Sequence, residues 1–525
     1  LERGGNAIDA AVAAALTLGV ADADASGLGG VTSLVIHLAN GRTLAVNGTS
    51  NAPITIDIAK FRDFKKSGRT YGYETVSTPT TLAVLEYVRA RYGTMEMAAL
   101  LQPAIEIAEN GFALNRVQLV WMEKYRPDIL ASSAYMSLLA MEDGKTTGKP
   151  GDRLCQPDLA NFLRRIAAEG VQSFYRGRIA DEIHADMIRS GGFVRKTDLA
   201  RVRVREELPL HTTYRGFDIH TVPPPGGGAG LVVALNILEN FPSDFLAENS
   251  AERHQTMIDA FRIAAADAMR AASRHPTPGS DPLRKAQARD RSRLIIAGKA
   301  TPREFFAHTT DPACKPPGES TTQVSVADNL GNVVSLTQTL SRSFGGKVAT
   351  LGFGFPYNSF LEFFNADKPQ CPGYLQPNNA CATDMAPTIV LDDNRLVAAF
   401  GTPGSNRIFT IIAGTISNMV DRGMGLGDAI TAPRVLWGGL SRGVVTIEVV
   451  DPITEEQVDA LEEMGYEDII AVHYPPERLR FMVDFGGVNA IGLDARTGEF
   501  TGVGDPRRWG SAMGPRVVAD RGTAR

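Results

Sequence analysis

Two adjacent threonines, Thr321 and Thr322, begin a predicted strand directly after Glu319 and Ser320. Threonines at strand starts are mostly structural, since their branched side chains suit a pleated sheet. A threonine hydroxyl becomes a nucleophile when a base takes its proton, and the residue's own α-amine can be that base once the chain is cut before it. The proline-rich loop before this strand could leave while the strand holds the new terminus. Thr321 is therefore a candidate nucleophile, with a structural role as the alternative.

A second stretch, "AAFGTPGSNRIFTIIAG", predicts a strand, a tight turn and a helix. The backbone N–H groups of Gly404 and Ser405 lie in the turn before the helix, where they could form a nest for a developing oxyanion. The alternative is an ordinary strand-to-helix turn, and the stretch taken alone favours it.

A third stretch, "TVPPPGGGAGLVVALNIL", places glycines before a predicted helix. It has neither the GK[ST] ending of a phosphate loop nor a GxGxxG fingerprint. The pattern therefore predicts a closely packed helix start and not a nucleotide site.

Composition favours small-molecule chemistry. The 525 residues are 43% hydrophobic and 7% aromatic with a net charge of -5, so no basic excess indicates nucleic acid or an anionic membrane as a partner. No apolar run reaches the roughly 20 residues that cross a bilayer. The sequence is in a helical pattern by Gly5 without an initial methionine, which leads us to expect an upstream segment such as a signal peptide. The compartment, cytoplasmic or periplasmic and secreted, stays open.

The cysteines and histidines show no CxxC pair and no HExxH motif, so neither zinc nor dithiol chemistry is indicated and no cofactor is expected. Cys371 and Cys381 bracket a Pro/Asn loop. A disulfide between them in an oxidising compartment and two unpaired thiols are equal alternatives.

The chain changes character at its centre. Residues 5–20 predict an alanine-rich helix, two strands with an Asn40-Gly41 turn follow, and most segments from 80 to 300 have helical spacing. From 321 onward, short strands such as "RLRFMVDF" dominate, with two clear helices. The stretch between, "HTTDPACKPPGES", has linker composition.

Taken together, the motifs resemble the γ-glutamyltranspeptidase family of N-terminal nucleophile (Ntn) hydrolases. The stretches that carry the resemblance are "RGGNAIDAAVAAALTLGV", "RYGTMEMAALLQPAIEIAENGF", "YRGFDIHTVPPPGGGAG", "STTQVSVADNLGNVVSLTQTLSRSFG", "MAPTIVL" and "GTPGSNRI". They occur in the family's order and approximate spacing from Arg3 to about Ser511.

This resemblance implies an α+β fold, a four-layer αββα sandwich made as an inactive precursor. Cleavage between Ser320 and Thr321 would give a large N-terminal subunit, 1–320, and a small C-terminal subunit, 321–525, that stay associated as a heterodimer. Whether two such heterodimers pair stays open.

The resemblance also implies site roles. Thr321 is the expected nucleophile, first toward the preceding peptide bond and then toward a small amide substrate. Thr339 matches the threonine that holds the nucleophile, and Gly404 and Ser405 match the oxyanion-hole pair. Water, or an amino acid acceptor, would release the acyl group without a cofactor.

Departures from the family pattern concern the acyl group. Members that bind a free γ-glutamyl group use an arginine, an Asn or acid, a Gln and an Asp of one stretch, and a Ser pair. Here those positions hold Ile58 or, in a shifted register, Arg62; Ser341; Phe360 and Phe363; and Thr383 with Asp384. An amino acid zwitterion buried without paired charges would cost several kcal/mol.

We therefore predict hydrolysis of γ-glutamyl or related acyl amides, favoured over transfer. The first alternative is an acylase for cephalosporin- or oxamate-type amides, since two phenylalanines favour an apolar acyl group. Glu362 and Asp384 are acids that could still meet an amine. The second alternative is a degenerate scaffold, against which the retention of Thr321, Thr339 and the Gly404 turn argues.

Overall fold

The computed structural model describes residues 1–131, 148–272, 281, 283–302, 320–369, 371, 373–437, 445–449, 453–473 and 485–515. The predicted linker up to Glu319 and nearly all of the predicted strand at 478–485 lie outside these residues.

The strands, in chain order, are β1 Val31–His37, β2 Thr43–Gly48, β3 Phe112–Ala113, β4 Arg153–Leu154, β5 Arg205–Glu207, β6 Leu210–Tyr214, β7 Phe217–Thr221, β8 Ser320–Ala327, β9 Val333–Ser341, β10 Thr388–Asp392, β11 Arg395–Gly401, β12 Val435–Trp437, β13 Val445–Val449, β14 Ile469–His473, β15 Asn489–Leu493 and β16 Phe500–Gly504. Two larger antiparallel sheets have the orders β5-β2-β1-β9-β8 and β16-β15-β11-β10-β7-β6.

The described α-helices are α1 (Ala7–Ala21), Ile58–Lys66, Thr81–Tyr92, Met97–Asn110, Arg116–Lys124, Arg126–Leu130, Pro157–Glu169, Gln172–Arg176, Arg178–Arg189, Lys196–Ala200, Gly228–Leu238, Ser243–Ala247, Ala251–Ala272, Lys285–Ser292, Ile408–Val420, Leu426–Thr431 and Glu455–Glu463. Among them, none is long and apolar enough to cross a membrane.

The first helix confirms the prediction for residues 5–20. Asn6 caps it: its side chain accepts a hydrogen bond from the N–H of Asp9 at 3.0 Å, and the Asp9 carboxylate accepts one from the N–H of Asn6 at 2.9 Å. This reciprocal capping box satisfies two donors that a helix start leaves free. The helix ends where the N–H of Asp22 bonds to Leu18 O at 2.7 Å, which places Asp22 on the segment that enters the sheet region.

Alternation along the strands builds the layers. In β1, Leu34 and Ile36 pack against the helices of the N-terminal half, whereas Val35 faces the second sheet. On the far side of the second sheet, Val390 and Phe400 pack against the helix Ile408–Val420 and its neighbours. Because side chains alternate between the faces of a strand, two sheets enclosed by helices result, and the predicted four-layer αββα sandwich is confirmed.

Other sequence predictions are confirmed in this frame. The Asn40-Gly41 turn joins β1 and β2, with the N–H of Leu38 bonded to Arg42 O at 2.9 Å. A Cβ on Gly228 would lie 2.3 Å from Val222 O, so the glycine-rich stretch is a closely packed helix start. The described residues from 321 onward contain one α-helix beyond the two predicted, Leu426–Thr431, which is too short for its periodicity to be visible in the sequence.

The expectations for Cys371 and Cys381 are both corrected. Cys371 is disulfide-bonded, whereas Cys381 is a free, buried thiol. The N–H of Cys381 bonds to Ser50 O at 2.8 Å, and its side chain packs in the apolar cluster of Phe61 and Phe360. This anchoring keeps the Cys381 thiol in the core, and no bridge joins the two ends of the loop.

Candidate active site

Thr321 is the second residue of β8, the edge strand of the first sheet. Its Cα partner is Thr339 of β9, and the register shifts between Ser320 and Thr321. Thr321 is 6% exposed. Since Gln323, two residues along, faces the second sheet, Thr321 shares that inner face. The candidate nucleophile therefore lies between the two sheets at the end of an edge strand.

Thr339 contacts the peptide bond that precedes the candidate nucleophile. Its hydroxyl donates a hydrogen bond to Ser320 O and accepts one from the N–H of Ser341 at 2.8 Å. A donor on a carbonyl oxygen makes the carbonyl carbon more electrophilic and stabilises the oxyanion formed on attack. In the uncut chain Thr339 thus contacts the carbonyl that Thr321 would attack.

The turn of Gly404 and Ser405 follows β11 at the same end of the sandwich. The hydroxyl of Ser335 donates to Phe400 O at 2.9 Å, and Gly401 packs against the side chain of Gln323. Ser335 pairs with Ser325, so Phe400 lies level with Ser325, and the next residue, Gly401, lies level with Gln323. The end of β11 therefore runs along β8 in the direction of Thr321. The turn therefore lies toward the Thr321 end of β8.

Gly404 and Ser405 have a backbone suited to an anion nest. Gly404 has φ 149° and Ser405 has φ 57°, both positive. A Cβ on Gly404 would lie 3.2 Å from Ile411 Cδ1. Thr402 supports the turn, because its hydroxyl donates to Pro403 O at 2.7 Å and accepts from the N–H of Gly487 at 3.0 Å.

A buried ion cluster holds the segment of Gly487 in place. Arg507 donates to Glu448 Oε1 at 2.6 Å and Oε2 at 2.7 Å, and to Asp505 Oδ1 at 3.2 Å. Asp505 Oδ2 accepts from the N–H of Val488 at 3.1 Å. The nearby cations Arg434 and Arg507 outweigh burial, so the pKa of Asp505 lies below its ordinary value. Sequence reasoning missed this cluster, because its members come from distant segments.

Thr383 and Asp384 lie beside the start of the helix Gly228–Leu238. The N–H of Thr383 bonds to Pro225 O at 2.8 Å, and Gly227 packs against the backbone of Asp384. Thr383 Oγ1 and Asp384 Oδ2 are buried, and neither has a hydrogen-bond partner among the described residues. Burial raises the pKa of Asp384 to about 7. Asp384 is therefore a carboxyl group that has one buried oxygen without a hydrogen-bond partner among the described residues and that changes its charge near neutral pH.

The remaining predicted substrate contacts, apart from Ser341, already pair or pack within the protein. Arg342 donates to Glu362 Oε1 at 2.7 Å, and its guanidinium lies 5.5 Å from the ring centre of Phe363. Phe360 is 1% exposed and belongs to an apolar cluster. Arg62 is 45% exposed and pairs with Asp367 at 2.8 Å. The hydroxyl of Ser341 is buried without a partner among the described residues.

A basic cavity lies beside the first sheet, level with Thr321 and Thr339 across the strands. Thr339 pairs with Val31, and Thr49 follows directly after the strand partner of Thr32. Thr49, three strands from Thr321 and hence about 14 Å away, accepts a hydrogen bond from Arg205 at 3.3 Å. The cavity has a volume of about 540 Å³, and its lining includes Thr49, Thr78, Asp198, Arg201, Arg203 and Arg205.

Comparison with known proteins gives a consistent result. A family model described as gamma-glutamyltranspeptidase matches residues 1–515. The chain is 33% identical to the glutathione hydrolase proenzyme of Pseudomonas sp. (strain A14), over 98% of this chain and 91% of that protein. It is 33% identical to the acylase ACY 1 proenzyme of Pseudomonas sp. (strain SE83), over 99% of this chain and 91% of that protein.

A solved structure has a similar fold along nearly the whole chain. The crystal structure of a cephalosporin acylase from Bacillus halodurans superimposes with a TM-score of 0.82 at 25% identity, and the match covers 97% of this chain and 91% of that one. Proteins named as glutathione hydrolases and proteins named as acylases are thus both similar to this chain along nearly its whole length.

Proposed function

Because the chain belongs to the gamma-glutamyltranspeptidase family of Ntn hydrolases, we propose that it cleaves itself between Ser320 and Thr321 and then hydrolyses small acyl amides through an ester on Thr321. The observation that carries this proposal is the hydrogen bond from the Thr339 hydroxyl to the Ser320 carbonyl. That donor acts on the one carbonyl that maturation requires Thr321 to attack.

Self-cleavage proceeds in two steps. Thr321 Oγ1 bonds to the carbonyl carbon of Ser320, the C–N bond of the peptide breaks, and the hydroxyl proton passes to the departing nitrogen. Water then hydrolyses the resulting ester, which leaves a carboxylate on Ser320 and a free hydroxyl and α-amine on Thr321. The same hydroxyl is now beside an amine that can act as its base.

The mature site repeats this chemistry on a substrate. The α-amine of Thr321 takes the hydroxyl proton while the oxygen attacks the amide carbonyl, and the N–H groups of Gly404 and Ser405 stabilise the oxyanion. The amine of the substrate leaves with that proton. Water releases the acyl group as the main outcome, and an amino acid acceptor is the minor one.

Two fragments from one precursor, 1–320 and 321–525, would stay together. β8 and β9 share a sheet with β1, β2 and β5, and β10, β11, β15 and β16 share the other sheet with β6 and β7. Each fragment therefore supplies strands to both sheets, so separating the fragments would break both sheets.

A second candidate, acylase activity without γ-glutamyl specificity, is favoured by Asp384. The α-carboxylate of a γ-glutamyl group at this position would lie beside a buried acid that becomes ionised near neutral pH. The two negative charges would repel each other, which disfavours a γ-glutamyl substrate. Glu362 is already paired with Arg342, which leaves it less available for a substrate amine.

The test is intact mass spectrometry of the purified chain beside a Thr321→Ala variant. We expect fragments 1–320 and 321–525 from the wild type and an uncut variant; an uncut wild type after prolonged incubation would contradict the proposal and favour a scaffold role. The cleaved enzyme is then assayed with a γ-glutamyl anilide, a glutaryl anilide and an acetyl anilide, which separates γ-glutamyl from acylase specificity.

A further inference from the structure

The segment Asp22–Ala25, which follows α1, contacts the chain on both sides of the Ser320–Thr321 bond. The hydroxyl of Ser320 donates to Asp24 O at 2.9 Å, and the hydroxyl of Thr322 donates to Asp22 Oδ2. Both contacts lie on the helix side of β8, opposite the inner face that carries the Thr321 hydroxyl. The segment thus holds the two neighbours of the candidate nucleophile without occupying its position.

The same segment is fixed to the end of β9. The N–H of Phe344 bonds to Asp24 O at 2.7 Å, and the N–H of Leu340 bonds to Ala25 O at 3.2 Å. β9 carries Thr339, the donor to the Ser320 carbonyl. A shift of the segment would therefore alter both the peptide bond to be cut and the strand that supplies its hydrogen-bond donor.

The side chains of Asp22 and Asp24 face each other within hydrogen-bond distance. Burial and the charge of Asp22 raise the pKa of Asp24 well above its ordinary value. Burial also raises the pKa of Asp22, against the hydrogen bond from Thr322 and the charge of Arg508. Two neighbouring carboxyl groups favour holding one proton between them, because a second negative charge would be repelled by the first.

Among the described residues, the groups of other elements that interact with this pair are Thr322 from β8 and Arg508 from the C-terminal region. The aliphatic part of Arg508 packs against Gly487, whose N–H bonds to Thr402 beside the Gly404 turn. The carboxyl pair is thereby also connected to the predicted oxyanion site.

We propose that Asp22 and Asp24 form a proton-sharing pair that positions the Ser320–Thr321 peptide bond for self-cleavage, an inference that rests on the proposed function. With one shared proton, Asp24 donates to Asp22, and Asp22 accepts from Thr322 as well. Loss of that proton leaves two facing carboxylates, with Arg508 as the nearby cation in the described part of the chain. The repulsion separates them and releases the contacts to Ser320 and Thr322. Asp22 and Asp24 are thus positioning residues of maturation.

The uncut full chain is made by cell-free translation and transferred into buffers from pH 5 to pH 9. Intact mass spectrometry then measures the fraction of cut chain over time. An amide at Asp24 keeps a donor that cannot lose its proton in this range. We therefore expect the cleavage rate of Asp24→Asn divided by that of the wild type to rise with pH, by about tenfold per unit above the pKa of Asp24. Asp290→Asn, which changes an acid whose side chain is 69% exposed, is the control and should give a constant ratio.

A second variant tests the same pair from the strand side. Thr322→Val removes the donor to Asp22, and we expect slower cleavage with a changed pH profile, restored by Thr322→Ser. This variant replaces Asp24→Asn if the latter does not fold, as judged by circular dichroism.

The outcomes separate the two proposals. Wild type and Asp24→Asn with parallel pH profiles would overturn the role of the pair while leaving self-cleavage intact, and so would a Thr322→Val profile parallel to that of the wild type. A wild type that stays uncut at every pH would overturn the proposed function and this inference with it.

Discussion

The hydroxyl of Thr339 donates a hydrogen bond to the carbonyl oxygen of Ser320, the residue before the predicted nucleophile. In the uncut chain this threonine therefore contacts the peptide bond that we propose is cut. The family resemblance implies a contact of Thr339 with the nucleophile, and under the proposed function the two contacts belong to successive stages of one site. In the self-cleavage that we propose, the Ser320 carbonyl becomes part of a carboxylate, and the Thr339 hydroxyl is released from its peptide partner.

Thr339→Val should slow maturation. The variant keeps the branched shape and removes the donor to the Ser320 carbonyl, so the oxyanion formed on attack loses a hydrogen bond. By analogy with single donors of oxyanion holes, we expect a loss of about 10²-fold in cleavage rate. A time course of intact mass measures it. Thr339→Ser retains the hydroxyl and should stay within a few-fold of wild type; equal loss in both variants would contradict the hydrogen-bond role.

Gly404→Ala should slow amide hydrolysis, whereas Ser405→Gly should leave it nearly unchanged. The proposed role of both residues uses the backbone N–H, so Ser405→Gly keeps activity and also suits the positive φ of 57°. Gly404→Ala adds a Cβ at φ 149°, 3.2 Å from Ile411 Cδ1, and should lower kcat by at least tenfold with little change in KM. Steady-state kinetics on the cleaved enzyme checks both. A strong loss in Ser405→Gly would indicate a role for the serine hydroxyl.

Asp384→Asn should change how activity on a carboxylate-bearing acyl group depends on pH. The pKa of Asp384 is about 7, so the side chain is mostly neutral at pH 6 and mostly charged at pH 8. A glutaryl anilide, which is the γ-glutamyl compound without its amine, should be repelled by the charged form. The kcat/KM ratio of variant to wild type should be near one at pH 6 and about tenfold at pH 8, or about 1.4 kcal/mol.

An acetyl anilide is the control for that experiment. It carries no charge, so the ratio of variant to wild type should be the same at both pH values. A pH-dependent ratio for the acetyl compound would show that Asp384 acts on the enzyme itself and not on the charge of the acyl group.

Arg507→Met should destabilise the fold strongly. Arg507 is fully buried and pairs with Glu448 and Asp505. Removing one partner of a buried ion pair leaves an uncompensated charge, which costs about 3–5 kcal/mol. Urea denaturation in the Thr321→Ala background, which we expect to stay a single chain, measures the change in the free energy of unfolding.

Arg496→Met is the matched control for Arg507→Met. Arg496 is 85% exposed and approaches Asp494 at 3.9 Å. Exposed pairs contribute about 0–1 kcal/mol, so this variant should be near neutral. Similar losses in both variants would contradict the assignment of stability to the buried cluster.

Local patterns determined much of the architecture. The alanine-rich helix with its Asn6 cap, the Asn40-Gly41 turn and the alternation of β8 and β9 are encoded by neighbouring residues, so they were predictable. The strand start at Thr321 was visible in one stretch of sequence as well, whereas the role of Thr321 as a nucleophile was implied by the family resemblance and stays a prediction.

Contacts between distant segments needed the tertiary structure. Hydrogen bonds from Thr322 to Asp22 and from Ser320 to Asp24 O join residues about 300 positions apart, and the state of Cys381 depends on its contact with Ser50 O. Burial likewise decides whether a carboxyl such as Asp384 has an ordinary or a raised pKa. Because burial and long-range pairing are set by packing in three dimensions, the residue types alone left the acyl specificity and the carboxyl pair undetermined.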